Sequence, residues 1–211
     1  MTLLELMIAV GILGTILMVS SQIGVSSGSA YRQASSGAEL SAKAKLVVDR
    51  VAMELQIASV GTFFPDLDAG VQDTSNLTFQ QLIDINAGVP VYGGPDPNEV
   101  MSLQLRLANG EVDDGVDNDG DGLVDEQELV LTRNVGADSQ VATVLCANIR
   151  ERLEGEVLGG GDENGNGLVD EAGFNIERDG NVLTVRLSVV GTDFRGGPMI
   201  RSAETAVRLR N

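Results

Sequence analysis

The chain has 211 residues, with 31 acidic against 14 basic side chains, a net charge of −17, no histidine and one cysteine. These counts exclude histidine-based acyl-transfer machinery, zinc sites of the usual histidine/cysteine kind and any internal disulfide. The charge is also opposite to the basic footprint that nucleic acid demands, and the 43% of hydrophobic residues must be segregated from the acid along the chain.

Residues 1–19, MTLLELMIAVGILGTILMV, are apolar except for Thr2, Glu5 and Thr15. As a helix they rise about 28 Å, close to the roughly 30 Å hydrocarbon core of a bilayer. No Lys or Arg precedes Arg32, so the following flank lacks the positive charge of a cytoplasmic loop, and export of the C-terminal bulk is expected. A secretory signal peptide would need a basic start, which is missing. Glu5 is the informative residue. A carboxylate inside such a helix costs about 2.5–3.5 kcal/mol on insertion scales and calls for a partner. An α-amino group, its own or that of a neighbouring copy, would neutralise it and fix the axial register of packed helices.

Thr2-Leu3-Leu4-Glu5-Leu6-Met7-Ile8-Ala9-Val10 resembles the mature N-terminus of type IV pilins and of the pseudopilins of type II secretion. The resemblance covers about 20 residues. It implies that a prepilin peptidase removes a short leader and that Met1, at the family's N-methylated first position, starts the processed form. It further implies that Glu5 neutralises the amine of an adjacent subunit during assembly.

Residues 38–58 read as a helix, with Leu40, Ala44, Val47, Val51, Leu55 and Ala58 on one apolar stripe. Glu39–Lys43, Lys45–Asp49 and Arg50–Glu54 are opposite charges four apart, and Gly61 and Pro65 close the helix. Packing on the protein's own globular part is the favoured use of the stripe. The stretch 20–37 between the two helical runs is rich in Ser and Gly, which weaken a helix. It is expected to be helical in the monomer and able to melt in an assembly, as the resembled filaments often do from a glycine such as Gly14.

From about residue 62 short alternating runs take over. Strands are predicted at 100–107 and 183–189, with further ones at 129–132, 141–146 and 206–209. Residues 62–98, with four of the five prolines, read as an irregular connection. Cys146 reads as a buried small hydrophobe. Asn76-Leu77-Thr78 has the form of a glycosylation sequon. Residues 206–211 bear a short resemblance to the last strand of minor-pilin-like proteins. The expected fold is α+β: a hydrophobic helix segment at 1–30, an amphipathic half at 31–60, and an antiparallel β-sheet head at 61–211, together pilin-like.

Two acidic segments, Asp117–Glu126 and Asp162–Glu171, repeat each other 45 residues apart. They define calcium loops at 113–128 and 162–173. In loop one Asp117, Asp119, Asp121, Gly122, Leu123, Asp125 and Glu128 fall at positions 1, 3, 5, 6, 7, 9 and 12 of an EF-hand loop. Alternate short oxygen side chains converge on a cation there, position 7 offers its carbonyl, and the last glutamate binds through both oxygens. Loop two is the weaker. Asp162, Asn164, Asn166, Leu168 and Asp170 keep the pattern, but its twelfth position is Gly173, and Glu171 or a distant residue must complete it. Strand-like flanks set both loops apart from a paired-helix EF-hand, and their expected role is to staple the head with Ca²⁺.

The resemblance thus implies a structural subunit of a type IV pilus-like filament, a helical homopolymer handled by the prepilin peptidase and pilus assembly machinery. The chain would be anchored in the inner membrane before assembly and extracellular afterwards. The alternative is a pseudopilin, minor or otherwise, of a type II secretion system. A membrane-tethered, calcium-dependent hydrolase or adhesin is disfavoured. Its acidic clusters have ligand spacing, aromatic residues make up only 3% of the chain, and no enzymatic activity is expected.

Overall fold

The computed structural model describes the chain except Met1 and residues 68–72, 87–88, 93–98, 158, 160, 164, 166–167, 194 and 210–211. The side chains of Glu5, Val60, Asp73, residues 82–85, Pro90 and Tyr92 are likewise outside the description. One helix, α1 (Leu3–Gln56), runs unbroken for 54 residues, about 81 Å at 1.5 Å per residue. The Ser-rich middle is therefore helical. Its hydroxyls are accommodated by donating back to carbonyl oxygens one turn earlier, Ser26 to Ile23 and Ser29 to Ser26, the local bond that a helical serine makes when it faces outward.

The helix has two halves with different surroundings. Every described side chain from Thr2 to Gly28 is exposed, including Leu4, Met7, Ile8 and Leu17. From Gly37 onward α1 lies on the head, and Ala44, Val47, Val48, Val51 and Leu55 are buried in the core. Burial of each valine or leucine is worth about 1.5–3 kcal/mol over exposure. The predicted stripe is thus the face that packs, with Leu40 half-buried at its upper end against Gly191. A Cβ at Gly191 would sit 3.0 Å from Leu40 Cδ2, so the glycine permits the close approach.

Polar contacts lock the same segment. Glu54 accepts from Arg50 Nη2 at 2.8 Å, Arg133 Nη2 at 3.0 Å and Gln81 Nε2 at 3.0 Å, tying helix to sheet and loop. Lys45 pairs with Asp49 at 2.8 Å as expected. Lys43, expected to pair with Glu39, instead donates to the Ala147 carbonyl oxygen at 2.7 Å.

The head is antiparallel β, so the chain is α+β. Its strands are β1 (Asp73–Thr74), β2 (Asn76–Phe79), β3 (Leu82–Asn86), β4 (Val89–Tyr92), β5 (Met101–Leu107), β6 (Gln127–Arg133), β7 (Val141–Ile149), β8 (Phe174–Asp179), β9 (Val182–Thr192) and β10 (Pro198–Arg208). β3 and β4 form a separate hairpin. The other eight make one sheet in the order β1-β8-β9-β7-β6-β5-β2, with β10 along the other side of β9. Leu103, Leu129, Leu131, Ile149, Phe174, Ile176, Leu183, Val185 and Leu187 alternate inward from these strands to meet the helix stripe.

Several strand boundaries differ from those predicted. Residues 62–98 are not simply an irregular connection, since β2 pairs with β5 and buries Leu77 and Phe79. Its alternation is only four residues long and surrounded by turn formers, which hides it from a pattern search. β8 has no counterpart among the predicted strands, and β10 starts at Pro198 instead of 206, because a sheet edge tolerates its proline and polar residues.

Cys146 lies in β7, 3% exposed, and burial raises the pKa of its thiol. Native protein should therefore react with a disulfide reagent such as DTNB only at the rate of unfolding. Rapid labelling of the folded chain would refute this placement.

Candidate metal centre

Loop one joins β5 to β6, and loop two joins β7 to β8. The likeness between them extends upstream of the two acidic segments. Gly110-Glu111-Val112 precedes loop one just as Gly155-Glu156-Val157 precedes loop two. The structure repeats with the sequence. Ala108 N–H bonds the Glu126 carbonyl oxygen across the base of loop one, and Leu153 N–H bonds that of Glu171 across loop two, each at 3.0 Å. Gly110 and Gly155 have φ of 108° and 101°, and Asp125 and Asp170 have φ of 50° and 56°. Leu123 and Leu168 are both buried, so the side chain at position 7 anchors the loop.

Inside loop one the carboxylates first organise backbone. Glu111 Oε1 accepts from the N–H groups of Asn118 and Asp119 at 3.1 and 3.0 Å, and its Oε2 accepts from Asp125 N–H at 3.2 Å. Asp117 accepts from Gly120 and Gly122 at 2.6 and 2.9 Å. Asp119 and Asp121 each accept from the N–H two residues on, the turn that aspartate favours. Asp125 accepts from Asp114 and Gly115. Gly120 and Gly122, at φ of 83° and 90°, supply the left-handed turns this wrapping requires.

Two groups of carboxylate oxygens then converge, each within 4.8 Å: Glu111, Asp117 and Asp119, and Asp119, Asp121 and Glu126. Asp119 belongs to both. Glu126 is 2% exposed, and its Oε2 has no hydrogen-bond partner among the described residues. Burial, chiefly, and then the charges of Asp121, Glu111 and Asp119 raise its pKa, against a backbone hydrogen bond that lowers it.

The predicted ligands fall out as follows. Asp117, Asp119 and Asp121 are in the convergent groups. Asp125 is occupied with the loop backbone. Glu128 is not at the cluster: it stands in β6 opposite Arg106 of β5 and accepts from that guanidinium, with Nε at 2.6 Å. An EF-hand places its twelfth residue on a returning helix, whereas the strand here turns residue 128 toward its cross-strand neighbour. In loop two, Asp162 is exposed and Asp170 accepts from Gly159 N–H at 2.9 Å. Asn164 and Asn166 lie outside the described residues. Glu171 is fully buried, bonded to Asn175 Nδ2 at 2.5 Å, with Arg186 Nη1 3.6 Å away. Met1 and the side chain of Glu5 also lie outside the described residues.

The sequence reading missed Glu111 and Glu126 as members of the loop-one cluster. A signal was present: both glutamates recur in the second copy, as Glu156 and Glu171, even where Asp119 and Asp121 become Asn164 and Asn166. Comparison with protein-family models, curated proteins and solved structures returns no match.

Proposed function

We infer that the chain is the structural subunit of a type IV pilus-like filament, with a calcium-stapled head. The observation that carries this reading is the exposed half of α1. Every described side chain from Thr2 to Gly28 faces solvent in the isolated chain, although the segment is long and apolar enough to cross a membrane. So much apolar surface needs a nonaqueous environment: a bilayer before assembly, and the matching segments of other copies afterwards. A Cβ added at Gly11, Gly14, Gly24 or Gly28 would meet nothing within 4 Å, so the small size of these residues answers no need within this chain. Close helix–helix approach in a bundle would use it.

In the filament these helices form the core, Glu5 faces the Met1 amine of a neighbour, and the sheet heads form the outer surface. Antibodies raised against the head test this by immunogold microscopy of intact cells. Label along surface filaments is the expected result, and label confined to the periplasm would refute the pilus reading.

The cluster around Asp119 supports calcium in the head, since hard oxygen donors at this density suit Ca²⁺. Binding to the folded state alone adds RT ln(1+[L]/Kd). At free calcium 100-fold above Kd this is about 2.7 kcal/mol, or a rise of about 5–11 °C in melting temperature for a protein of this size. Calorimetry of the chain in detergent micelles, with calcium and then with chelator, measures it. A melting temperature indifferent to chelation would refute the staple.

A further inference from the structure

We propose that the head takes a single Ca²⁺, in loop one, with Glu126 rather than Glu128 as its buried carboxylate, while Arg186 supplies the positive charge at the corresponding place in loop two. The proposal rests on the calcium reading given above and specifies its ligands and stoichiometry.

Glu126 is the residue that needs a cation. It is 2% exposed, with Oε2 unpartnered among the described residues, and a carboxylate oxygen lies within 4.8 Å of those of Asp119 and Asp121. An ionised carboxylate buried without a partner is among the costliest arrangements in a protein. Nine acidic residues and no basic one lie between Glu111 and Glu128, so the loop cannot neutralise itself. Arg106, from the adjoining strand, is engaged with Glu128. Glu111 already accepts backbone N–H bonds on both oxygens, so it builds the frame. Asp119, Asp121 and Glu126 are left to meet the ion.

Loop two shows the same base with a guanidinium beside its buried glutamate. Glu171 occupies the place of Glu126, down to the backbone bond at the base of the loop. Its Oε1 has Asn175 beside it and the Arg186 guanidinium at 3.6 Å. Arg186, in β9, also bonds Glu177 at 2.6 Å and Glu204 at 2.9 Å, which holds it in position. The positions of Asp119 and Asp121 are filled in this copy by Asn164 and Asn166, and that of Asn118 by Glu163, so the segment carries four acids against five. The Arg186 guanidinium thus stands where a cation would have to approach Glu171.

Metal content after dialysis against calcium, together with calcium titration of the full chain in detergent micelles, tests the proposal on wild type, Glu126→Gln and Glu128→Gln. Wild type and Glu128→Gln should each hold one Ca²⁺ per chain. Glu126→Gln should lose more affinity than the roughly 10–100-fold that loss of a supporting contact costs. In chelator, Glu126→Gln should melt no lower than wild type, because it removes a buried unpaired charge. A lower melting temperature there would make Glu126 a structural acceptor and overturn the assignment. Loss of the ion in Glu128→Gln with retention in Glu126→Gln would restore the EF-hand register, leaving the calcium reading intact. Two ions per wild-type chain would overturn the role of Arg186, and none would overturn this proposal and the calcium reading together.

Discussion

If the chain assembles as proposed, Glu5→Ala should abolish filaments while leaving the melting temperature of the head unchanged, the largest effect expected of any single substitution in the chain. The head should be unaffected, since every described side chain from Thr2 to Gly28 is exposed and the packed core begins further along α1. Its effect belongs to the packed state. A carboxylate moved into an apolar helix bundle costs about 2.5–3.5 kcal/mol without a partner, and an α-amino group of a neighbouring copy removes that cost only at one axial offset. Alanine removes the cost together with the preference for that offset, and an ordered polymer depends on the preference. Negative-stain microscopy of sheared material, beside calorimetry of the same variant in micelles, separates the two effects. Normal filaments from Glu5→Ala would defeat the register argument.

Gly173→Ala has the largest expected effect on the head itself. An ideal Cβ at this position would lie 1.7 Å from the Arg150 carbonyl oxygen and 2.8 Å from its carbon. Neither strand can retreat. Gly173 N–H bonds Glu151 O at 3.0 Å, Ser188 N–H bonds Gly173 O at 2.7 Å, and Arg150 N–H bonds Ser188 O at 3.0 Å. Relief of the clash must break that lattice, which places the variant in the tail of substitution effects, about 4 kcal/mol or more. Gly180→Ala is the comparison. There φ is 57° but the surrounding space is open, so the cost is limited to the backbone, about 1–2 kcal/mol. Urea midpoints of the two variants give the difference directly, and equal losses would show that the contact at Gly173 relaxes freely.

Gly173 also explains an anomaly in the sequence. It stands where loop two should offer its twelfth ligand, and no residue larger than glycine fits beside Arg150. An EF-hand template is therefore an incomplete guide to either copy. It located Asp117, Asp119 and Asp121, because alternating acids and glycines are a local pattern. It says nothing of Glu128's partner, because Glu128 is turned by strand pairing toward Arg106, a contact made across 22 residues of chain. The same division holds for the fold. The stripe from Leu40 to Leu55 and the alternation at 100–107 were legible as periodicity. β2, β8 and most of β10 exist because neighbouring strands pair with them, and that information is not carried within their own residues.

The backbone bonds at the base of the two loops have a separate consequence. Ala108 N–H meets Glu126 O, and Leu153 N–H meets Glu171 O, so each acidic segment leaves the sheet and returns to it at one point. The strands on either side are held in register by their own ladders, β5 and β7 on β6, and β8 on β9. Each segment is thus a cassette, with entry and exit a single hydrogen bond apart. Such a unit can be copied, shortened or exchanged without moving the core, and its two copies are free to diverge, one carrying Asp119 and Asp121 where the other carries Asn164 and Asn166.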